Sequence, residues 1–399
     1  MKILQLCHKP PQPAIDGGCI AINNITKGFL ENNIKVKVLT ISTVKHPFVI
    51  EKIEKNFLEK TKIESAFVDT ELNVVDAFSS LITSDSYNIS RFFSPDFDVL
   101  LQKTLETNEY DIIHLESLFM TPYLGTIKRC SKAKIILRSH NLEYMIWERL
   151  VNSTTNRAKK VYLKILASQL KKYESNIINQ VDGIASITEE DGQKYKNLGC
   201  KKPIVSIPFG VNIADFNAID LPSKTLDLFH IGSMDWKPNL EGIAWFSEDV
   251  WPEIQLSFPN LKLHLAGRNM PDWLIKAKSN GIVNHGEVKT ANDFINKHSI
   301  MVVPLLSAGG MRIKIIEGMA LGKVVISTTI GAEGINYTNR KNILIANNVK
   351  EFITQLNWLF ANEKRVFEIG KEARFLVKLK YSNSLINRRL IEFYKEILK

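Results

Sequence analysis

Short runs of β-branched and aliphatic residues recur along this chain, and each is followed by a longer stretch whose apolar residues repeat with helical spacing. This alternation predicts parallel sheets covered by helices. In the first half, the pattern predicts strands at residues 3–7, 36–39, 112–114, 135–137, 184–186 and 204–207. After the turn Pro208-Phe209-Gly210, a second series is predicted at residues 228–231, 261–265, 301–303, 324–327 and 343–345.

Two sheets in one chain indicate two α/β domains, and 399 residues are enough for about two domains of ordinary size. Residues 211–222 have turn chemistry and little apolar periodicity, which predicts a hinge. We therefore expect one domain over residues 1–210 and a second over residues 211–380. A terminal helix is predicted within residues 381–399 from the helical spacing of Leu385, Leu390, Ile391, Tyr394 and Ile397.

Composition favours an ordinary globular protein. Hydrophobic residues make up 45% and charged residues 24% of the chain, values that argue against disorder and against a membrane-spanning class. The apolar start of the chain is interrupted by Lys9 and two prolines before a signal-peptide core would be complete, so we interpret it as the first strand. The cysteines lack the paired spacing of zinc or redox sites, which favours a reducing cytosol; they are Cys7, Cys19, Cys130 and Cys200.

The formal charge of +10 favours an anionic partner such as nucleic acid, a bilayer surface or a phosphorylated small molecule. Two lysine pairs, Lys159-Lys160 and Lys171-Lys172, flank an apolar-periodic segment with Val161, Leu163, Ile165 and Leu166. We favour an amphipathic surface helix with a solvated basic face over a lipid-binding helix, and keep peripheral contact with an anionic membrane as the alternative.

Residues 307–323 carry the most informative pattern, a turn and a helix between two predicted strands. Gly309 and Gly310 allow the backbone to approach a ligand, and the helix that we expect them to open offers unpaired N–H groups to a phosphate. Arg312 and Lys314 add positive charge there. An anion pocket results if the turn lies at the carboxyl end of its strand, where ligands bind in open α/β sheets.

Glu317 lies beside the apolar stripe of this helix, and a buried carboxylate needs partners. Two vicinal hydroxyl groups of a ribose would satisfy it, because a carboxylate accepts several hydrogen bonds. The alternative is a glutamate neutralised by Arg312 or Lys314 on the same helix. The spacing alone does not separate these interpretations.

This block resembles the donor-binding helix of retaining GT-B glycosyltransferases of family four, also called glycosyl transferases group 1. Further motifs follow in the order typical of that family, and together they span nearly the whole chain. These motifs are Asp16-Gly17-Gly18, Pro208-Phe209-Gly210-Val211-Asn212, Gly232-Ser233-Met234-Asp235-Trp236-Lys237-Pro238-Asn239 and His285-Gly286-Glu287-Val288. The implied fold is GT-B, an α/β architecture of two facing Rossmann-like domains, in which the helix of residues 381–399 returns to the first domain.

The resemblance also implies residue roles. Glu317 would bind the nucleotide ribose, Gly17 and Gly18 would approach the donor phosphates, and Val288 would lie at the strand edge that meets the base. Two departures matter: Gly309 stands where an acidic residue usually contacts the transferred sugar, and Ser233 replaces an arginine. We therefore expect the sugar contact to fall to the N–H groups of Gly310 and Met311, and the phosphate charge to fall to Arg312, Lys314 or Lys237.

Two histidines follow predicted strands of the first half. His140, in a polar turn after residues 135–137, is implied by the resemblance to lie over the transferred sugar, where it would donate a hydrogen bond to a sugar hydroxyl or help to position the acceptor. A capping or core histidine is the plain alternative. His114 occupies a similar place and is a weaker candidate near the acceptor.

The activity implied by the resemblance is transfer of a sugar from a nucleotide-sugar donor to a glycan or lipid-linked acceptor, with retention of configuration, in bacterial surface polysaccharide synthesis. We expect no cofactor and no metal at this site, because the helix, Arg312 and Lys314 would stabilise the leaving diphosphate. The expected location is the cytoplasm, with peripheral contact at the inner face of the membrane as an option.

Other classes have less support. Asp96-Phe97-Asp98 mimics a metal-binding motif, but it follows Ser94-Pro95 and is typical of a helix start. Walker, HExxH and GxGxxG motifs are absent from the sequence, and no nucleic-acid module is visible. Two alternatives remain: a sugar-nucleotide 2-epimerase of the same fold, and a non-catalytic subunit that binds a nucleotide sugar.

Overall fold

Parallel strands form two separate sheets in the computed structural model, which describes residues 1–70, 87–216, 226–275, 281–307 and 309–399. The chain divides into two units, one of Met1–Phe209 with Asn383–Lys399 and the other of Gly210–Ser382. Each unit has its own sheet and its own apolar core. The α/β class and the parallel sheets expected from the sequence are confirmed.

The first unit contains a seven-stranded parallel sheet in the order β3-β2-β1-β4-β5-β6-β7. Its strands are β1 Lys2–Cys7, β2 Lys35–Ser42, β3 Glu64–Phe67, β4 Ile112–Glu116, β5 Lys134–Ser139, β6 Gly183–Ser186 and β7 Ile204–Ser206. Its helices up to residue 197 are α1 Gly17–Glu31, α2 Lys55–Thr61, α3 Tyr87–Ser90, α4 Pro95–Thr107, α5 Leu124–Cys130, α6 Glu143–Ser153, α7 Arg157–Ile177 and α8 Glu189–Asn197, with short 3-10 helices at Ile50–Lys52 and Leu118–Tyr123.

The central strands of this sheet are covered on both faces, which is why they are continuous apolar runs in the sequence. Every residue of β4 is buried, and so are the last five residues of β1. The six strands predicted for this half are present within a few residues of their expected bounds. β3 was not predicted, because this edge strand, Glu-Ser-Ala-Phe, has exposed ends and lacks an apolar run.

The second unit contains a six-stranded parallel sheet in the order β10-β9-β8-β11-β12-β13. Its strands are β8 Leu228–Ile231, β9 Leu263–Ala266, β10 Ile282–Gly286, β11 Ile300–Val303, β12 Val324–Ser327 and β13 Leu344–Ile345. Its helices are α9 Lys237–Trp245, α10 Trp251–Ser257, α11 Asp272–Ile275, α12 Ala291–Asn296, α13 Ile313–Ala320, α14 Val349–Phe360 and α15 Lys364–Lys380, with a π-helical turn at Phe246–Val250 and a 3-10 turn at Ile213–Asp215.

β10 was not in the predicted strand series, because it is a partly exposed edge strand containing polar residues. Of the predicted hinge, residues 217–222 lie outside the described residues. The aspartates Asp96 and Asp98 lie in the first turn of α4, where negative charge favours the helix dipole, as the helix-start interpretation required. Among the residues that the structure describes, no helix is both long enough and apolar enough to cross a membrane.

The last helix, α16 Asn383–Ile397, belongs to the first unit. Its side chains Leu390, Phe393 and Tyr394 are buried in the apolar cluster that also contains Ile3 and Ile112 of the central strands. Residues far apart in sequence therefore close this core. The Tyr394 hydroxyl additionally forms a short hydrogen bond with His114 Nδ1.

We expect Leu390→Ala to destabilise the first unit by about 2–5 kcal/mol, because it leaves a cavity in this fully buried cluster. Amide exchange of peptides from β1 and β4 should accelerate in the variant. Glu392→Ala, a change at an exposed position of the same helix, is the matched control. Unchanged exchange in Leu390→Ala would contradict this role of α16.

Candidate active site

The strand order of the second unit has a topological switch point beside β8. β9 and β10 lie on one side of β8 and β11 to β13 lie on the other, so the chain connections diverge between β8 and β11. Ligands of open α/β sheets bind outside the carboxyl ends of the strands at such a switch point. The loops that leave β8 and β11 at this edge contain Ser233 and Gly309-Gly310, and Val288 follows β10.

Two glycine features shape this edge. A Cβ atom added to Gly267 would lie 1.8 Å from the carbonyl oxygen of Gly232, so the loops after β8 and β9 approach at backbone contact distance. Gly310 has a φ of 79°, a left-handed conformation that side chains disfavour. It turns the chain between β11 and α13.

The structure corrects one expectation about α13. Gly309 and Gly310 do not open the helix, because it begins at Ile313 with Arg312 as its N-cap residue in an extended conformation. The N-cap side chain does not accept a hydrogen bond from the first turn. The backbone N–H groups of this turn therefore lack side-chain capping and are suited to an anion.

Arg312 is held at this helix start by two contacts. Its Nη1 donates a hydrogen bond to the carbonyl oxygen of Gly309 at 2.5 Å, and its guanidinium lies 5.3 Å from the ring centroid of Trp236. The residue is 8% exposed. A fixed cation thus lies between the loop after β11 and the loop after β8.

Lys314, the second residue of α13, connects the same two loops. Its Nζ donates to Asn239 Oδ1 at 2.7 Å and lies 3.5 Å from the carbonyl oxygen of Ile231, the last residue of β8. Asn239 Nδ2 donates in turn to the carbonyl oxygen of Ser233 at 2.9 Å. Burial, with a smaller effect of the Arg312 charge, lowers the pKa of Lys314 to about 7.

Glu317 lies one helical turn after Lys314 and is partly buried. Burial raises the pKa of its carboxyl group, and the Lys314 charge opposes that shift. The Lys314 ammonium is nevertheless directed to Asn239 and to the end of β8. The two side chains therefore influence each other electrostatically while the hydrogen bonds of Lys314 go elsewhere.

The other side chains predicted for donor binding do not share the contacts of Arg312 and Lys314. Met311 is buried beside Arg312, whereas the Lys237 side chain is 80% exposed and lies 3.4 Å from a carboxylate oxygen of Glu241. Ser233 donates a short hydrogen bond to Asp235. The structure brings Arg312, Lys314 and Glu317 together and leaves Lys237 on the surface.

A second polar cluster lies at the switch point of the first unit, between β1 and β4. Its centre is Glu116, which is fully buried at the end of β4. One carboxylate oxygen accepts from Gln5 Nε2 and His114 Nε2 at 2.9 Å each, and the other lies 2.8 Å from His140 Nε2 and 3.4 Å from Arg138 Nη1. Despite burial, which raises it, the pKa of Glu116 is held well below its usual range by His114 and Arg138.

These bonds fix the roles of the two histidines that face this carboxylate. A carboxylate or carbonyl oxygen only accepts, so His140 Nε2 carries a proton toward Glu116, and His8 Nδ1 carries one toward the Glu116 carbonyl oxygen at 2.8 Å. Burial lowers the pKa of both rings. In their neutral forms the remaining nitrogens, His140 Nδ1 and His8 Nε2, are hydrogen-bond acceptors. The proton on His140 Nε2 is directed to Glu116, so this neutral ring would accept a hydrogen bond from a hydroxyl group at Nδ1, whereas the sequence analysis expected donation.

His114 has no free ring nitrogen, since Nε2 faces Glu116 and Nδ1 faces Tyr394. The ring is fully buried and positions Glu116, an arrangement that does not favour the acceptor contact suggested by the sequence. Gly17 and Gly18 form the start of α1, where Asp16 accepts hydrogen bonds from Cys19 N, Lys9 Nζ and His46 Nε2. Although burial raises it, hydrogen bonds from His46 and Lys9 lower the pKa of Asp16 below its usual range.

Sequence reasoning did not single out Glu116, His8 and Asn239, which the structure places in these two polar clusters. His8 follows the last residue of β1, and Glu116 ends β4. The feature of the sequence that indicates them is the occurrence of polar residues at the carboxyl ends of the two central strands, β1 and β4. That signal becomes usable only when the strand order is known.

Comparison with known proteins agrees with this architecture. Residues 22–215 match the family model Glycosyltransferase Family 4, and residues 225–362 match the family model Glycosyl transferases group 1. A protein of Klebsiella pneumoniae, described as an uncharacterized 44.6 kDa protein in the cps region, is 23% identical over an alignment of 290 residues that covers 70% of this chain and 72% of that protein.

Solved structures share the fold. Sucrose-phosphate synthase from Thermosynechococcus elongatus superposes with a TM-score of 0.73 at 14% identity, covering 100% of this chain and 99% of that one. Anabaena HepE, solved in complex with UDP-glucose, has a TM-score of 0.67 at 12% identity and covers 99% and 100% of the two chains. The fold and site define a GT-B glycosyltransferase. Within that class, the chain belongs to the family 4 type, glycosyl transferases group 1.

The pKa of Lys314 leads to a pH prediction. At a pH below about 7 the Lys314 ammonium is charged and favours binding of an anionic donor. At a higher pH this charge is lost, so donor affinity should fall by up to about tenfold per pH unit. Calorimetry with the best-binding nucleotide sugar between about pH 6.5 and about pH 8.5 measures this change in affinity. The nucleoside diphosphate sugar itself does not titrate in that range.

Lys314→Met should bind more weakly at low pH and lose this slope. Lys350→Met, at an exposed position on α14, is the charge-matched control and should keep the native profile. A flat profile for the native protein, or an unchanged slope in Lys314→Met, would show that Lys314 does not meet the donor.

Proposed function

We propose that this glycosyltransferase transfers a hexosyl group from a nucleotide-sugar donor to a glycan or lipid-linked acceptor, with retention of configuration, in the synthesis of a cell-surface polysaccharide. The observation that carries the proposal is the grouping of Arg312, Lys314 and Glu317 at the switch point of the second sheet. The UDP-glucose in the HepE complex makes UDP-sugars the first donors to test.

Cleavage of the donor leaves a nucleoside diphosphate, and the enzyme must stabilise the negative charge that grows on it. The uncapped start of α13 and the side chains of Arg312 and Lys314 supply positive groups in fixed positions. We propose that they fill the role of a divalent metal in donor cleavage. His140, with a proton committed to Glu116, would accept a hydrogen bond from the transferred sugar.

Glu317 would accept hydrogen bonds from the vicinal ribose hydroxyls of the nucleotide. We expect Glu317→Ala to weaken donor binding about 10- to 100-fold, the effect of losing one or two hydrogen bonds to a charged group. Calorimetry should also show that the native protein discriminates against a 2′-deoxyribose donor and that Glu317→Ala has lost this discrimination.

Glu368→Ala, at an exposed position on α15, is the matched control. The same preparations are assayed for transfer with and without Mn²⁺, and the anomeric configuration of the product is read by proton NMR. Equal donor affinity in folded Glu317→Ala would remove Glu317 from the site. Strict Mn²⁺ dependence would contradict the role of Arg312 and Lys314, and an inverted product would contradict retention.

The surface of α6 and α7 supports peripheral contact with an anionic membrane. These helices pack together through Val151, Leu163 and Ala167, yet they leave a second set of apolar side chains exposed. That set is Ile146 at 37%, Leu150 at 40%, Val161 at 62% and Ile165 at 42% exposure. Lys159, Lys160 and Lys164 are exposed on α7 beside Val161 and Ile165. An apolar strip flanked by lysines suits the interface of anionic lipids.

We expect the double change Val161→Glu and Ile165→Glu to reduce co-sedimentation with vesicles containing anionic lipid, because it places negative charge on this strip. High salt should weaken binding of the native protein. Val99→Glu, at a position 67% exposed on α4, is the control for a charge added to an exposed apolar site. If the native protein does not co-sediment with anionic vesicles at low salt, the membrane proposal is wrong.

A further inference from the structure

Three histidines to which no donor contact has been assigned lie together in the second unit. His264 lies in β9, His285 lies near the end of β10, and His298 lies between α12 and β11. The register between β9 and β10 is irregular between Asn284 and Gly286, and His285 falls within this irregularity. Such bulges redirect side chains.

The three rings are close enough to share one ion. His264 Nδ1 lies 2.9 Å from His285 Nε2, and one nitrogen from each ring lies within 4.8 Å of the other two. The rings of His264 and His298 have centroids 4.1 Å apart. Three nitrogens bound tetrahedrally to Zn²⁺ at about 2.0–2.1 Å are roughly 3.3 Å apart, so small side-chain movements would complete the geometry.

Two of the three histidines lie in buried surroundings, where polar groups need bonding partners. His298 is buried between the rings of Phe229 and Phe294. His264 Nε2 is buried, and the Asp227 carboxylate lies 3.6 Å from it. Polar groups buried in this way destabilise a fold unless something binds them.

A carboxylate lies beside His264, the histidine in β9. Asp227 Oδ2 lies 3.6 Å from His264 Nε2, on the side of the ring opposite to Nδ1. Histidines that bind metals commonly donate their second ring N–H to such a carboxylate, which orients the ring and fixes its tautomer. This arrangement would leave the lone pair of His264 Nδ1 facing the other two histidines.

The charge state of the rings also suits a metal. Burial lowers the pKa of His264 and of His285, and it lowers the pKa of His298 to about 4. Neutral imidazoles are the form that binds metal ions. Imidazole nitrogens favour Zn²⁺, Cu²⁺ and Ni²⁺ over Mg²⁺ or Ca²⁺, which require oxygen ligands.

We propose that His264, His285 and His298 bind one divalent transition metal of the Zn²⁺ type, with Asp227 orienting His264. Because His285 is exposed, we expect water to be the fourth ligand of the ion. The ion would join two strands at one edge of the second sheet to the segment that enters β11. This role is structural and is separate from donor cleavage.

Within the described parts of the chain, one other group of potential ligands would compete for added metal. Asp16, Cys19 and His46 also bring ligand atoms within 4.8 Å of one another. Asp16 is already bonded to Lys9 and to the start of α1, and burial raises the pKa of the Cys19 thiol to about 11. A protonated thiol and an occupied carboxylate are poor ligands, so we assign the metal to the three histidines.

The test is metal stoichiometry of the full chain, with any purification tag removed. Metal-free protein should bind one Zn²⁺ in calorimetry, and Co²⁺ should produce the visible absorption of a tetrahedral site that Zn²⁺ abolishes. His264→Gln and His285→Gln should each weaken Zn²⁺ binding at least about tenfold, and Asp227→Asn should weaken it by about tenfold.

His46→Gln is the matched control and should retain one Zn²⁺ with native affinity. Since His285 is exposed, His285→Gln should fold normally even if substitutions at the buried histidines do not. Circular dichroism of every variant separates a lost ligand from a lost fold. The proposal is overturned if metal-free protein binds no stoichiometric Zn²⁺, if binding survives in folded His285→Gln, or if His46→Gln abolishes it.

Discussion

The constraint on which this structure depends is the parallel direction of every strand pair in its two sheets. Parallel strands align their carboxyl ends along one edge, and the loops that leave this edge can form a site from residues far apart in sequence. In the second unit, this edge brings Ser233, Asn239 and Lys314 into one hydrogen-bonded group. In the first unit, it gathers His8, Glu116 and His140.

Burial of charge distinguishes both groups from ordinary surface clusters. Glu116 is fully buried and stays ionised because Gln5, His114, His140 and Arg138 surround its carboxylate. In the second unit, a lysine and a glutamate share a partly buried helix face near an arginine. Such groups are costly to bury without a partner, and a diphosphate with its ribose would provide partners of the right charge and hydrogen-bonding capacity.

The histidine cluster of the second unit differs in physical character. Its rings are neutral and packed against phenylalanines, with a carboxylate behind one of them. Positive groups beside a helix start are suited to a phosphate, whereas converging neutral imidazoles are suited to a divalent transition-metal ion. If both proposals hold, the second sheet would carry two sites of opposite preference, and the proposed donor chemistry does not depend on the ion.

Local information in the sequence determined the α/β class, most strands and the start of α4, because buried parallel strands are apolar runs and helix starts have characteristic residues. It missed β3 and β10, whose edge positions leave them partly exposed and polar. For the site, the run from Gly309 to Glu317 was visible because one helix and its turn carry it. The resemblance supplied the roles of its residues.

Tertiary structure alone decided which of these residues meet. Only the fold shows that Lys314 bonds to Asn239, that Lys237 stays exposed, and that His114 is enclosed by Glu116 and Tyr394. It also shows that α13 begins at Ile313 and not at the glycines expected to open it, because Gly310 turns the backbone before the helix begins. The physical reason is that strand order and helix packing set these distances, and neither is encoded in the spacing of residues along the chain.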